Sequence, residues 1–268
     1  HDALPIWHMK NLQNLQLDDL KIWYRKWYTP NNAILVIVGD VESEAALHQV
    51  QKYFGDIPAK KAPPRNDVLE FERVGYRHME IESTVQVPNL YMAWNVRSLA
   101  TAKDPQDAYG LNIIRSILDS GISSRFQDRL VRDKKLLTAV SASYDPYNRG
   151  DSLFSISALP ADGVSLQEAQ KAIQTEIDLL KNELVDPAEV SRISTRFISS
   201  LIYSQDDIAG QAKMIGNLEV NGLSYRLMDE LPKHYENVSP QDVQRVANAY
   251  FIKDNLSTLY LTPENKSK

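Results

Sequence analysis

The chain contains no cysteine. Disulfides, thiolate nucleophiles and cysteine-held metals are therefore excluded. Its five histidines, His1, His8, His48, His78 and His234, open neither an H-E-x-x-H nor an H-x-x-E-H pattern. There is no G-x-S-x-G elbow, no Walker loop and no Rossmann fingerprint. No apolar run nears the roughly 20 residues that cross a bilayer as a helix. The opening HDALPIWHMK lacks the charged start and apolar core of a signal peptide. It also lacks an initiating Met, which is expected of a processed or cut form. A basic surplus is missing too: the net charge of -5 argues against a nucleic-acid partner.

What is present is ordinary globular composition, 43% hydrophobic and 24% charged, over 268 residues, enough for about two domains. Asp18 is expected to cap a helix whose Leu20, Trp23, Tyr24 and Trp27 share one face, with Pro30 ending it. AILVIV at 33–38 is apolar at every position, the pattern of a strand covered on both faces. A helix with Leu47, Val50 and Phe54 inward follows and stops at Gly55. This unit is too small to bury a core alone and reads as the tail of a larger domain. The proline-rich stretch 57–75 reads as a linker and domain boundary.

Beyond it, Met79 and Ile81 alternate with His78, Glu80 and Glu82, and Leu90, Met92, Trp94 and Val96 form the apolar side of a second strand. Asp104-Pro105 opens a helix, SSRFQDRLVRD forms a short amphipathic helix, and LTAVSASY and DSLFSISAL are strand candidates on either side of the turn DPYNRGD. Capping signatures at Ser165/Glu168, Asp186-Pro187 and Ser239-Pro240 mark a helical last third, closed by the strand LSTLYLT. Strands, then helices, then one strand predict an α+β fold: a two-layer, antiparallel-rich sheet with helices on one face. The passages LDDLKIWYRKWYTPNNAILVIVGDV and SPQDVQRVANAYFIKDNLSTLYLTP share an order of helix, aromatics, Asn turn and apolar strand. That order hints at an internal duplication whose first copy is cut short.

Residues that could carry chemistry have simpler structural readings. His78 with Glu80 and Glu82 could form a surface metal site, but a polar outer face of a half-covered sheet is the expected reading. His234 sits where a cation favours a helix C-terminus. The Gly121 amides could receive an anion, although a plain helix cap accounts for that glycine. Asp206 and Asp207 suit capping. No self-contained catalytic site is visible, and no residue is a metal ligand.

WY-x-P-N-N-A, V-G-D-V and K-Y-F-G-x-I-P, carried here by residues 27–33, 38–41 and 52–58, resemble the pitrilysin/insulinase-type zinc metallopeptidases, the inverted zincins. LDSGISSRFQDRLVRDKKLLTAVSASYDPYNRGDSLFSISALP, GQAKMIGNLEV and YFIKDNLSTLYLTP extend the likeness along nearly the whole chain. The resemblance implies that 1–56 is the end of a first, metal-binding-type domain. It makes 76–268 a second, non-catalytic domain with a metallohydrolase-like repeat. It further implies a parent that is a zinc-dependent metalloendopeptidase, with zinc held upstream, so that this chain alone binds no zinc and is inactive. The second domain would enclose peptide or unfolded polypeptide substrate, with the missing N-terminal region, a homologous partner subunit or a dimer completing the chamber.

Some relatives bind substrate through an Arg and a Tyr seven positions apart. Arg132 matches the arginine and is the candidate substrate-binding residue, but Ala139 stands where the tyrosine would be. That departure fits the second domain of a zinc-carrying subunit. A surface ion pair of Arg132 with Asp133 is the structural alternative. At the level of the whole protein, the alternative is a non-catalytic partner or scaffold of the same family. The resemblance favours the bacterial periplasm or envelope over the cytoplasm.

Overall fold

The computed structural model describes residues 9–61 and 75–264. His1, His8 and most of the 57–75 stretch lie outside them. The chain divides into two compact units, His1–Asp67 and Val68–Lys268.

In the first unit, α1 (Met9–Gln13) and α2 (Leu17–Trp27) precede a 3-10 turn at Pro30–Asn32, an extended run at 33–38 and α3 (Ser43–Phe54). Gln16, not Asp18, holds the N-cap of α2: Asp19 reaches back to accept the Gln16 N–H at 2.9 Å. Asp18 pairs instead with Lys21 inside the first turn. Asn32 Nδ2 donates to the Trp27 carbonyl at 2.9 Å, satisfying one acceptor that the helix end leaves open.

The predicted strand at 33–38 is not a strand. Among the described residues it has no ladder partner, and Ile34, Leu35 and Ile37 are exposed. A strand exists through its pairing, so an apolar pattern without a neighbour gives only extended chain. The faces predicted inward on α2 and α3 are likewise uncovered: Leu20 is 53% and Leu47 56% exposed.

The second unit contains β1 (Arg77–Ser83), β2 (Asn89–Val96), α4 (Gln106–Leu118), a π-helix (Phe126–Asp133), β3 (Leu137–Ser143) and β4 (Ser152–Pro160). These are followed by α5 (Leu166–Asn182), α6 (Pro187–Ser204), α7 (Ile208–Val220), α8 (Leu227–Glu236), α9 (Pro240–Tyr250) and β5 (Leu256–Pro263). The five strands lie in the order β1-β5-β2-β4-β3. β5 runs parallel to β1, and the other neighbours are antiparallel. The last strand in sequence thus inserts between the first two. α4, α5 and α9 pack on the sheet, as the α+β reading predicts.

Caps fix the helix starts as the sequence signatures suggest. Ser165 with Glu168 and Ser239 with Asp242 form reciprocal boxes, while Asp186 and Asp207 each accept a backbone N–H. Leu90, Met92, Trp94 and Val96 are all buried, at most 2% exposed. Gly110 lets α4 approach α9, since a Cβ there would stand 3.0 Å from the Val246 side chain.

The two similar passages take the same local path to different ends. α9, a 3-10 turn at Lys253–Asn255 and β5 repeat the order of α2, the Pro30–Asn32 turn and residues 33–38. β5 becomes a central strand because β1 and β2 flank it. What differs is the presence of partners.

β1 corrects one sequence expectation. Register places His78, Thr258, Met92, Ile156 and Ala142 in one row across the sheet, on the side that carries the core. His78 and Glu80 therefore face the helix layer, while Met79 and Ile81 lie on the other side and are exposed. The inversion has a local cause: near β1 the facing edge of α5 is polar, with Gln167, Gln170, Lys171 and Gln174 lining the cleft there.

Candidate functional site

Arg132 stands on the π-helix that follows the loop at 119–125. In that loop Gly121 takes φ +107, a conformation that glycine adopts without a Cβ penalty. Its carbonyl, rather than its amide, is engaged, accepting both the N–H and the hydroxyl of Ser124. α6 pins the loop twice. Arg196 donates to the Ser120 carbonyl, and Arg125 grips Glu189 with its Nη2 at 2.8 Å. Phe126 and Leu130 anchor the π-helix in the core at 0% exposure, as the amphipathic pattern predicts. The helix closes with i→i+5 geometry, Lys134 N–H to the Arg129 carbonyl at 3.0 Å, which the sequence pattern does not distinguish from an α-helix.

Arg132 does not pair with Asp133. Its Nη2 donates to Asp128 Oδ1 at 2.5 Å and to the Ile122 carbonyl at 2.9 Å. Residues four apart share a helix face whereas adjacent ones diverge, which decides the partner. Both side chains of the pair are half exposed, so it contributes only about 0.5 kcal/mol. The Nε and Nη1 groups have no partner among the described residues. Ala139 lies exposed on β3, at a register shift against β4.

The free edge of β3 is closed by side chains. Gln127 Nε2 donates to the Val140 carbonyl at 3.1 Å, and Asp119 Oδ2 accepts the Ala142 N–H at 2.9 Å. These bonds occupy the groups that an incoming strand would need, so they guard the edge against pairing. Sequence reasoning missed both residues. Their partners lie 13 and 23 positions away, so no local spacing marks them.

The sheet face opposite α4, α5 and α9 grades from apolar to hydroxyl. One row runs Met79, Leu259, Tyr91, Ser157 and Ser141 across all five strands. Met79 is 59% and Tyr91 41% exposed. Ser141 and Ser157 bond through their hydroxyls at 2.8 Å.

The histidines are dispersed. His48 is exposed on α3. His234 lies in the last turn of α8, as expected, and stacks on Tyr109 with ring centroids 4.8 Å apart. The His78 ring is engaged at both nitrogens, by Thr258 at 2.7 Å and Glu80 at 3.0 Å. No group of three His, Asp or Glu among the described residues has metal-holding geometry. Among the described residues the donor set does not fit zinc.

Comparison with known proteins places this fold among peptidase relatives. The chain is 28% identical over 267 residues to the zinc protease PqqE of Helicobacter pylori, covering 97% of this chain and 58% of that protein. A crystal structure of a protease from Helicobacter pylori superposes with a TM-score of 0.88 at 24% identity, over 97% of this chain and 62% of the other. The first half of the periplasmic protease PqqL from Escherichia coli gives 0.75 at 15% identity, over 97% and 57%. The chain thus spans less than two thirds of the length of these relatives. Residues 14–197, the greater part of both described units, match the family described as the peptidase M16 inactive domain. With that match added to the fold, the chain belongs to the peptidase M16 inactive-domain family.

Proposed function

We propose that the chain is the substrate-enclosing, non-catalytic portion of a zinc-dependent metalloendopeptidase. Residues 1–56 would end the metal-binding-type domain, 57–75 would link, and 76–268 would form the wall opposite the metal. The zinc and the catalytic groups would reside in the part of the relatives' length that this chain does not span. The observation that carries the reading is the sheet face opposite α4, α5 and α9, graded from the exposed Tyr91 and Met79 to Ser157 and Ser141. An extended, unfolded peptide offers both apolar side chains and backbone polar groups to such a surface. Arg132, whose Nε and Nη1 have no partner among the described residues, would hold substrate carbonyl or carboxylate oxygens. The periplasmic description of one structural relative supports an envelope location for the parent.

The reading is tested in the parent enzyme by two substitutions. Ser157→Trp, which fills the hydroxyl end of the face, and Arg132→Ala should each raise KM for an unstructured peptide. The expected factor is about 5 to 10, equal to the loss of roughly 1 kcal/mol of binding, with kcat nearly unchanged. Unaltered KM in both variants would sink the enclosing role of this face.

A further inference from the structure

Between α4, α6, α8 and the end of β3 lies a cavity of about 420 Å³, within the roughly 300–1,000 Å³ range of small-molecule sites. Tyr144, Tyr147, Phe197, Leu201 and Tyr235 form apolar walls around the Arg115 guanidinium. Arg115 is only part exposed, yet it holds no carboxylate among the described residues. Its contacts are the face of Phe197, 5.9 Å from the ring centroid, and one long hydrogen bond of 3.4 Å to the Asp119 carbonyl. Arg125 and Arg129, likewise part exposed, each hold a carboxylate, whereas Arg115 does not.

Nearby anions are otherwise committed. Asp119 gives Oδ2 to the Ala142 N–H, and Asp145, exposed at the rim, accepts the Tyr147 N–H. Burial pushes the Tyr144 and Tyr147 hydroxyls far above their ordinary value, so they stay neutral and supply no counter-charge. Burial also lowers Arg115 below the usual guanidinium value, and the neighbouring Arg196 adds to this against the pull of Asp119. A cation kept partly out of water with no carboxylate in direct contact is costly, and a bound anion would lower that cost.

We propose that this cavity binds a carboxylate carried on an aromatic or branched apolar group. The carboxylate pairs with Arg115, and the body packs against Phe197, Leu201 and Tyr144. The site is independent of the peptidase reading. Its ligand chemistry is shared by a free aromatic acid and by the C-terminal residue of a peptide.

Three probes separate these sources in calorimetric titrations of this chain: 3-phenylpropanoate, acetyl-Ala-Phe with a free C-terminus, and its C-terminal amide. The free dipeptide should bind at least about tenfold more tightly than the amide, as a charge-assisted pair requires. Arg115→Gln should erase that preference, Arg115→Lys should restore part of it, and Phe197→Leu should weaken all probes alike. Equal affinity of 3-phenylpropanoate and the free dipeptide identifies a small-acid site, and tighter dipeptide binding identifies a peptide terminus. Equal binding of acid and amide, no binding at millimolar probe, or a preference surviving Arg115→Gln in a folded variant overturns the proposal.

Discussion

Replacing Arg129 by methionine is expected to lower the unfolding free energy by about 3 kcal/mol, read as a drop in the urea midpoint. The cause is Glu176, whose side chain on α5 is 1% exposed and receives Arg129 Nη1 at 2.8 Å. Lys134 Nζ stands farther off, at 3.5 Å, and is half exposed. Removing Arg129 leaves a buried carboxylate with one distant cation, which costs more than the pair itself contributes. The double change Arg129→Met with Glu176→Met should therefore be more stable than Arg129→Met alone. A loss under about 1 kcal/mol, or no recovery in the double variant, would mean that water reaches Glu176.

The second large effect lies at Phe251, which closes α9 and is 2% exposed. It meets Trp94 edge-on at 5.2 Å and Phe154 at 4.8 Å, joining the helix layer to the centres of β2 and β4. Phe251→Ala should cost about 4 kcal/mol through lost transfer and cavity, with the edge-to-face contacts adding to it. Phe54→Ala is the informative control. Phe54 also follows a helical period, yet it is half exposed, so the change should fall within about 0.5 kcal/mol. Equal losses at the two positions would contradict the packing described.

That contrast locates the limit of what the sequence makes legible. Periodicity identifies which side chains share a face, and it does so correctly for Leu90 to Val96 on β2 and for Phe126 and Leu130, while the capping signatures mark the starts of α5, α6 and α9. It carries no information about what covers that face. The apolar run at 33–38 and the strand β5 look alike in sequence, and only the flanking strands make one of them part of a sheet. β1 fails in the opposite way. Its alternation is real, but the apolar side turns to the open face because the helix edge opposite is a row of glutamines.

The candidate site was legible only in part. The motif likeness singled out Arg132, and the structure assigns it Asp128 and the Ile122 carbonyl in place of Asp133. Asp119, Gln127 and Arg115 escaped notice because their roles come from contacts across the fold. Asp119 looks like a helix stop and Gln127 like a solvated position until β3 is laid beside them.

The central claim, that this chain belongs to the non-catalytic side of a zinc peptidase, is tested most directly by metal analysis with peptide hydrolysis. The full-length parent and this chain would be measured side by side. About one zinc per parent molecule with cleavage of an unstructured peptide is expected, and neither zinc nor cleavage in this chain. A parent without zinc or hydrolysis, or stoichiometric zinc and cleavage in this chain, would contradict it.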